Sequence, residues 1–278
     1  MGTQAGDKVQ DHYASVGIAA RILAALKAAQ GDAAPVTPET LAPLDHFHGR
    51  GVKATHEIVA LLRPEPGDRL LDIGGGIGGP ARWIAARFGC HVTLLDLTSE
   101  FCLAAEELNA ATGLSDRVRV VEGSATDLPF PEASFDRAYS QYVAMNIEEK
   151  RRFYAEAFCV LRPGGVFAFS QCGAGPNGKP HFPLPWAAGP ATSFLSSTEE
   201  TRADVTAAGF ELVRFLDRTE EILPDQRETR RRLQGQGLPP LGVHTLMGER
   251  IRDLQINAIQ SAEEGRLTFI EALVRKPA

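Results

Sequence analysis

The chain has 278 residues, 44% of them hydrophobic and 23% charged, with a formal net charge of -6 at pH 7. That is enough for one large domain, or a domain with an added cap, and the ordinary composition argues against disorder as the main state. The negative charge argues against a nonspecific partner of nucleic acid or of an anionic membrane, since both rely on positive charge.

The start, MGTQAGDKVQDHYASV, lacks the charged head and apolar core of a signal peptide. No apolar run approaches the roughly 20 residues of a transmembrane helix. The expectation is a cytoplasmic protein. Residues 17–29 carry apolar side chains at helical spacing and predict an amphipathic helix, followed by a Pro- and Gly-containing loop, GDAAPVTP. Residues 51–62 predict a second helix with Ile58, Val59, Leu61 and Leu62 inward, ended by RPEPGD. Residues 1–62 thus read as a helical cap segment, ahead of a main domain over 63–278.

From residue 69 short apolar runs alternate with helical patterns. Strands are expected at 69–73, 91–97, 117–123, 135–141, 166–171, 210–217 and 266–276. Helices are expected at 80–88, 99–112 with Ser99 as N-cap, 148–161 ended by Pro163-Gly164-Gly165, and 198–208 stopped by Gly209. The alternation predicts an α/β fold, a doubly wound parallel sheet with helices on both faces. Residues 172–197 fit no periodic element, and this stretch and 218–262 read as substrate-lid insertions. In the first of them, Phe182, Trp186 and Phe194 stand as candidate pocket walls, among prolines that stiffen the backbone. The basic run RETRRRL (227–233) has Glu220, Glu221, Asp225 and Glu228 beside it and reads as a solvated helix of mixed charge. Cys90, Cys102, Cys159 and Cys172 show no metal-ligand spacing and read as reduced, mostly buried thiols; no metal is expected.

The chemistry concentrates at residues 70–82, LLDIGGGIGGPAR. A strand runs into a glycine turn and then a helix, so free N–H groups face a ligand that can approach the bare backbone. Gly74, Gly76 and Gly79 match the dinucleotide fingerprint G-x-G-x-x-G. Asp72, Gly74, Gly76 and Gly78 also match D-x-G-x-G-x-G, the glycine motif of S-adenosylmethionine (SAM) methyltransferases. Asp96, ending the second strand about 20 residues on, suits the ribose of either cofactor. Asp72 favours SAM, because a carboxylate ahead of the turn repels a pyrophosphate. EGSATDLPF (122–130) after the third strand and LRPGG (161–165) before the fifth point the same way.

On these residues, roughly 50–276 resemble class I SAM-dependent methyltransferases. Within them the chain looks most like a small-molecule branch that includes sarcosine/dimethylglycine and phosphoethanolamine N-methyltransferases and tocopherol-type C-methyltransferases. Tyr13, the run DHFHGRGVKAT (45–55), the glycine loop and Ser140-Gln141 carry that likeness. The resemblance implies a Rossmann-like seven-stranded sheet with an antiparallel last strand, and methyl transfer to a nucleophilic N, O, S or C atom of a small molecule. It implies SAM contacts from Asp72, Gly74, Gly75, Gly76, Gly78, Asp96, Leu97, Ala125, Thr126, Asp127 and Gln141, with Asp127 on the adenine amino group. Amine-methylating relatives often place an Asp after the Ser-Gln pair and a His at the position of Asn146; here Tyr142 and Asn146 stand there. Candidate proton-handling residues are His48, Tyr13 and Tyr142. Candidate substrate contacts are His46, Asn146, His181, Trp186 and His244. A homodimer is compatible with the N-terminal segment. Two other readings stay open: a protein that binds SAM without transferring methyl, and an NAD(P)-dependent oxidoreductase. The second is weakened because neither Tyr139 nor Tyr142 has a Lys four residues on.

Overall fold

A computed structural model describes residues 17–46, 48–236 and 238–278. Seven strands form one sheet: β1 (Arg69–Ile73), β2 (His91–Asp96), β3 (Val118–Glu122), β4 (Phe135–Gln141), β5 (Leu161–Ala174), β6 (Glu211–Asp217) and β7 (Leu267–Arg275). Their spatial order is β3-β2-β1-β4-β5-β7-β6. The first five run parallel, and β7 lies antiparallel between β5 and β6. β1 shows why: Leu70, Leu71, Asp72 and Ile73 are all buried, as a strand covered on both faces requires.

Helices α1 (Ile18–Gln30), α2 (Pro38–Asp45), α3 (Val52–Leu62), α4 (Gly79–Phe88) and α5 (Ser99–Ala111) precede β3. Then come α6 (Lys150–Val160), α7 (Thr198–Ala207), α8 (Thr219–Gly235), the short α9 (His244–Met247) and α10 (Ile251–Glu263). One apolar cluster joins α6 and α7 to the sheet through Phe153, Ala157, Phe167, Phe169 and Val205. Another joins α3 and α4 through Ile58, Leu62, Ile84, Leu70 and Leu94. A third joins α1, α2 and α5 through Ile22, Leu26, Leu41, Leu44 and Leu108. Strand order reverses between β1 and β4, so the loops leaving their carboxyl ends splay apart and open a crevice.

Three local expectations change. The sequence reading assigns no helix after the loop at 31–38, yet α2 forms there. Thr37 caps it with a reciprocal bond to Thr40, and Pro38 opens it; only eight residues long and with Pro43 inside, it carries little periodicity. Ser99 is not an N-cap: Thr98 takes that position, and its N–H is held by Asp96 Oδ1 at 2.9 Å. Strand β5 begins at Leu161, before the Pro-Gly-Gly turn. Leu161 pairs with Phe135, a register shift follows, and pairing resumes at Val166. Its far end runs to Ala174, into the stretch read as irregular. Beyond it that stretch holds a Leu184–Ala187 bridge and a 3₁₀ turn at Pro190–Thr192.

Candidate active site

A single cavity of about 1440 Å³ opens over the carboxyl ends of β1, β2 and β4 and continues between α8, α10 and the loop at 185–186. The glycine turn forms one wall. Gly74 N–H and Gly75 N–H both donate to Leu95 O, at 2.8 and 3.1 Å, which ties the turn to β2. Gly74 has a φ of 77°, and a Cβ there would sit 2.4 Å from Val143 Cγ2. Gly76 N–H donates to Asp96 Oδ2 at 2.8 Å. Asp96 therefore clamps the turn with one oxygen and the start of α5 with the other, and each oxygen retains a lone pair for a ligand. Burial pushes its carboxyl up, against the pull of those backbone N–H groups.

Asp72 lies beneath the turn, buried, with Tyr139 Oη donating to its Oδ2 at 2.8 Å. Burial raises its carboxyl to about 7; the Tyr139 hydrogen bond opposes this and the Asp96 charge adds to it. Gln141 ends β4 at the cavity wall. Its Oε1 accepts from Thr55 Oγ1 at 3.5 Å, and its buried Nε2 has no protein partner. His46 Nε2 is likewise buried, unpartnered and on the wall, while its Nδ1 meets Asp45 Oδ1 at 3.1 Å. A buried amide donor and a buried imidazole nitrogen, both unpartnered beside a backbone turn, make a site built for a polar ligand.

The opposite corner holds the proton-handling candidates. Tyr142, at a φ of 57°, stacks on His48 with ring centroids 5.8 Å apart and planes at 11°. His48 Nδ1 faces Gly49 O at 3.2 Å and its Nε2 faces Thr55 Oγ1 at 3.4 Å. Burial first, then the neighbouring His46, pushes the His48 imidazole down to about 4. Burial holds the Tyr142 phenol above its ordinary range. Both are neutral near pH 7.

Of the residues singled out in the sequence, the cavity wall brings together His46, His48, Asp72, Gly74, Gly75, Gly76, Asp96, Leu97, Ala125, Thr126, Gln141, Tyr142, Asn146, Trp186 and His244. Asn146 is already engaged: its Nδ2 donates to Trp186 O at 2.9 Å and Thr192 O at 3.0 Å, holding the loop that carries Trp186. Gly78 is not on the wall; it caps α4 at a φ of 82° and turns the chain into that helix. Asp127 is also off the wall. The Ser124–Asp127 bridge turns its side chain outward, where it is 81% exposed and meets Arg152 at 3.5 Å. His181 is directed away, with Nε2 2.7 Å from Glu264 Oε2. Phe182 packs half-buried in the cluster around Trp186, and Phe194 hangs from Met145 O by its N–H; neither lines the cavity. Tyr13 lies outside the described residues.

Two ionic groupings escaped the sequence reading. Arg82, fully buried, donates to Asp45 Oδ2 at 2.9 Å, Asn109 Oδ1 at 3.0 Å and Ile77 O at 2.7 Å, locking α2 onto α4 behind the glycine turn. Arg50 donates twice to Glu57, at 2.6 Å each, and Glu57 also accepts from Arg218 at 3.0 Å, which reaches Glu271 on β7. Partners up to 161 residues apart leave no periodic trace. The only signal was the isolated Arg50 within 45–55.

Comparison with known proteins agrees with this geometry. The family described as "Methyltransferase domain" matches residues 71–169, from β1 into β5. The chain is similar to 24-methylenesterol C-methyltransferase 2 of Oryza sativa subsp. japonica, 40% identical over 121 residues, 43% of this chain and 33% of that protein. It is similar to sarcosine/dimethylglycine N-methyltransferase of Aphanothece halophytica, 29% identical over 182 residues, 65% of this chain and 66% of that one. The chain thus spans about one third of the sterol relative's length. Geranyl diphosphate C-methyltransferase from Streptomyces coelicolor A3(2) shares the fold, with a TM-score of 0.71 at 17% identity over 99% of both chains. Residues 71–169, the stretch that matches the methyltransferase domain, hold both the glycine turn and the Asp96 carboxylate that clamps it.

Proposed function

We propose that this protein transfers a methyl group from SAM to a nucleophilic N, O, S or C atom of a small molecule. The observation that carries the reading is the Asp96 clamp on the glycine turn, set at the sheet's switch point in a cavity large enough for two ligands. When bound, SAM would supply a methyl carbon on a sulfonium sulfur, the acceptor's electron pair forming the new bond while the C–S pair returns to the sulfur of S-adenosylhomocysteine as a neutral thioether.

The chain's own work is positioning. Gly74, Gly75 and Gly76 let the backbone approach the cofactor's amino-acid end, with Asp72 beneath to take the ammonium. Asp96 accepts from the ribose hydroxyls through its remaining lone pairs. Leu97, Ala125 and Thr126 face the adenine, and Asp127 joins them only by leaving Arg152. Beside the reacting groups, Gln141 Nε2 donates a hydrogen bond and His46 Nε2, its Nδ1–H held by Asp45, accepts one. Holding nucleophile and methyl carbon in line supplies much of the acceleration. His48, neutral with its imidazole near 4, accepts a proton only from an acceptor that has become acidic by losing its lone pair. Tyr142 keeps its proton and donates.

The stretches at 172–197 and 218–262, the second largely helical, act as the acceptor's lid, a reading supported by Trp186 and His244 on the cavity wall. Four free thiols support a reducing, cytoplasmic setting. Among the described residues no helix is long and apolar enough to cross a membrane. Calorimetric titration with SAM, S-adenosylhomocysteine and NADH tests the cofactor assignment. Binding of both adenosyl ligands, much weakened in Asp96→Ala, is expected; binding of NADH alone overturns it. Release of S-adenosylhomocysteine in an acceptor screen separates a transferase from a protein that only binds SAM.

A further inference from the structure

The cavity exceeds the roughly 300–1,000 Å³ of a usual small-ligand pocket, so it holds a second occupant of substantial size beside whatever the glycine turn binds. Its two halves differ in chemistry. The glycine-turn half presents backbone N–H groups, Asp72, Asp96 and the unpartnered Gln141 Nε2. The other half is walled by Cys172, Trp186, Leu233, Ile259, Leu267 and Phe269, all buried in the fold.

Charged groups reaching that second half are already engaged. The Arg50 guanidinium, 5% exposed, is held bidentately by Glu57. Lys53 pairs with Asp225 across the opening between α3 and α8. Of the other ionisable groups on the wall there, Glu148, Glu149, Glu228 and Arg232 are exposed to water, and the His244 imidazole is half-buried. An ammonium, carboxylate or phosphate pushed inward past them would lose its hydration and find no free counter-charge, a cost that disfavours such a ligand.

From this juxtaposition of a large apolar chamber with inner cations already neutralised by carboxylates, we infer that the methyl acceptor is a bulky, uncharged lipophilic molecule, seated between Trp186, Phe269 and the α8–α10 wall. Small zwitterionic or phosphorylated amines are excluded as acceptors. The inference rests on the methyltransferase reading for the identity of the other occupant.

The test titrates the full chain, saturated with S-adenosylhomocysteine, with the uncharged fluorescent lipophile N-phenyl-1-naphthylamine. Saturable binding is expected. It should weaken by about tenfold or more when a carboxylate enters the chamber wall in Ala258→Glu, or in Met247→Glu on the half-exposed short helix α9. S-adenosylhomocysteine affinity should stay within about twofold in at least one of these variants, which shows that the fold survives. Millimolar sarcosine or phosphoethanolamine should neither displace the dye nor take labelled methyl from SAM. The inference is overturned if the dye does not saturate with S-adenosylhomocysteine bound, if neither carboxylate weakens it, or if either small amine is methylated. The methyltransferase reading survives each of those results. Failure of the wild type to bind S-adenosylhomocysteine sinks that reading instead, and this inference with it.

Discussion

Gly74 gives the sharpest test of how the glycine turn is held. Its φ of 77° is in the left-handed region, and a Cβ there would stand 2.4 Å from Val143 Cγ2 and 2.8 Å from Cγ1. Gly74→Ala thus carries two separable costs. Left-handed backbone with a Cβ costs about 1–2 kcal/mol. Forcing the methyl into the Val143 side chain adds about 1–3 kcal/mol of overpacking. The expected total is about 2–5 kcal/mol, large against the stability of a typical domain of about 5–15 kcal/mol. Val143→Ala removes both offending methyl carbons while leaving the backbone term. In that background Gly74→Ala should cost only about 1–2 kcal/mol. Urea unfolding of the wild type, both single variants and the double variant yields the coupling energy directly. S-adenosylhomocysteine titration of the same four proteins reports whether the turn keeps its shape. If Gly74→Ala costs the same in both backgrounds, the clash with Val143 is not what excludes a side chain, and the packing argument fails.

Three further outcomes are expected. Asp72, raised to about 7 when folded against 3.8 in its ordinary state, binds protons more tightly in the native protein, so its stabilisation is complete below pH 4 and is lost as pH rises through about 7. Asp72→Asn, which still accepts from Tyr139, should flatten that fall in the ligand-free protein; SAM affinity, which on the proposed reading needs the ionised carboxylate, should rise through pH 7 in the wild type only. His48, held down to about 4, contributes stability above its ordinary 6.5 that is lost as pH falls through about 4, and unfolding curves of His48→Gln between pH 4 and 7 should lack this acid-side slope. Arg82→Met strands the buried Asp45 carboxylate and should cost about 3–5 kcal/mol by urea unfolding, with Arg82→Met/Asp45→Asn recovering part of it; no recovery would disprove the pairing as the cause.

The strand–turn–helix pattern was legible because it is local. Alternation of short apolar runs and helical spacing located β1 and β4 to the residue and the others within about five positions; in β1, burial on both faces leaves a continuous apolar signature. The glycine turn was legible for a related reason: a positive φ and a close approach need glycine, and Asp96 at the end of β2 stands where its carboxylate accepts from Gly76 N–H. The α2 helix was not, because it is short and its stability comes from Leu41 and Leu44 packing on α1 and α5 rather than from its own periodicity.

The strand–helix alternation and the turn at 74–79 follow from the sequence, because each depends on neighbours within a few tens of residues. Tertiary structure alone decided which side chains share the cavity. Asp127 and His181 sit in plausible stretches, yet the Ser124–Asp127 bridge and Glu264 direct them away. Leu233, Ile259 and Phe269 line one chamber with Trp186, and Arg218 joins Glu57 to Glu271, although the chain separates them widely. The physical reason is that packing and ion pairing act on distance in space, and β7, paired between β5 and β6, sets Glu271 beside Arg218.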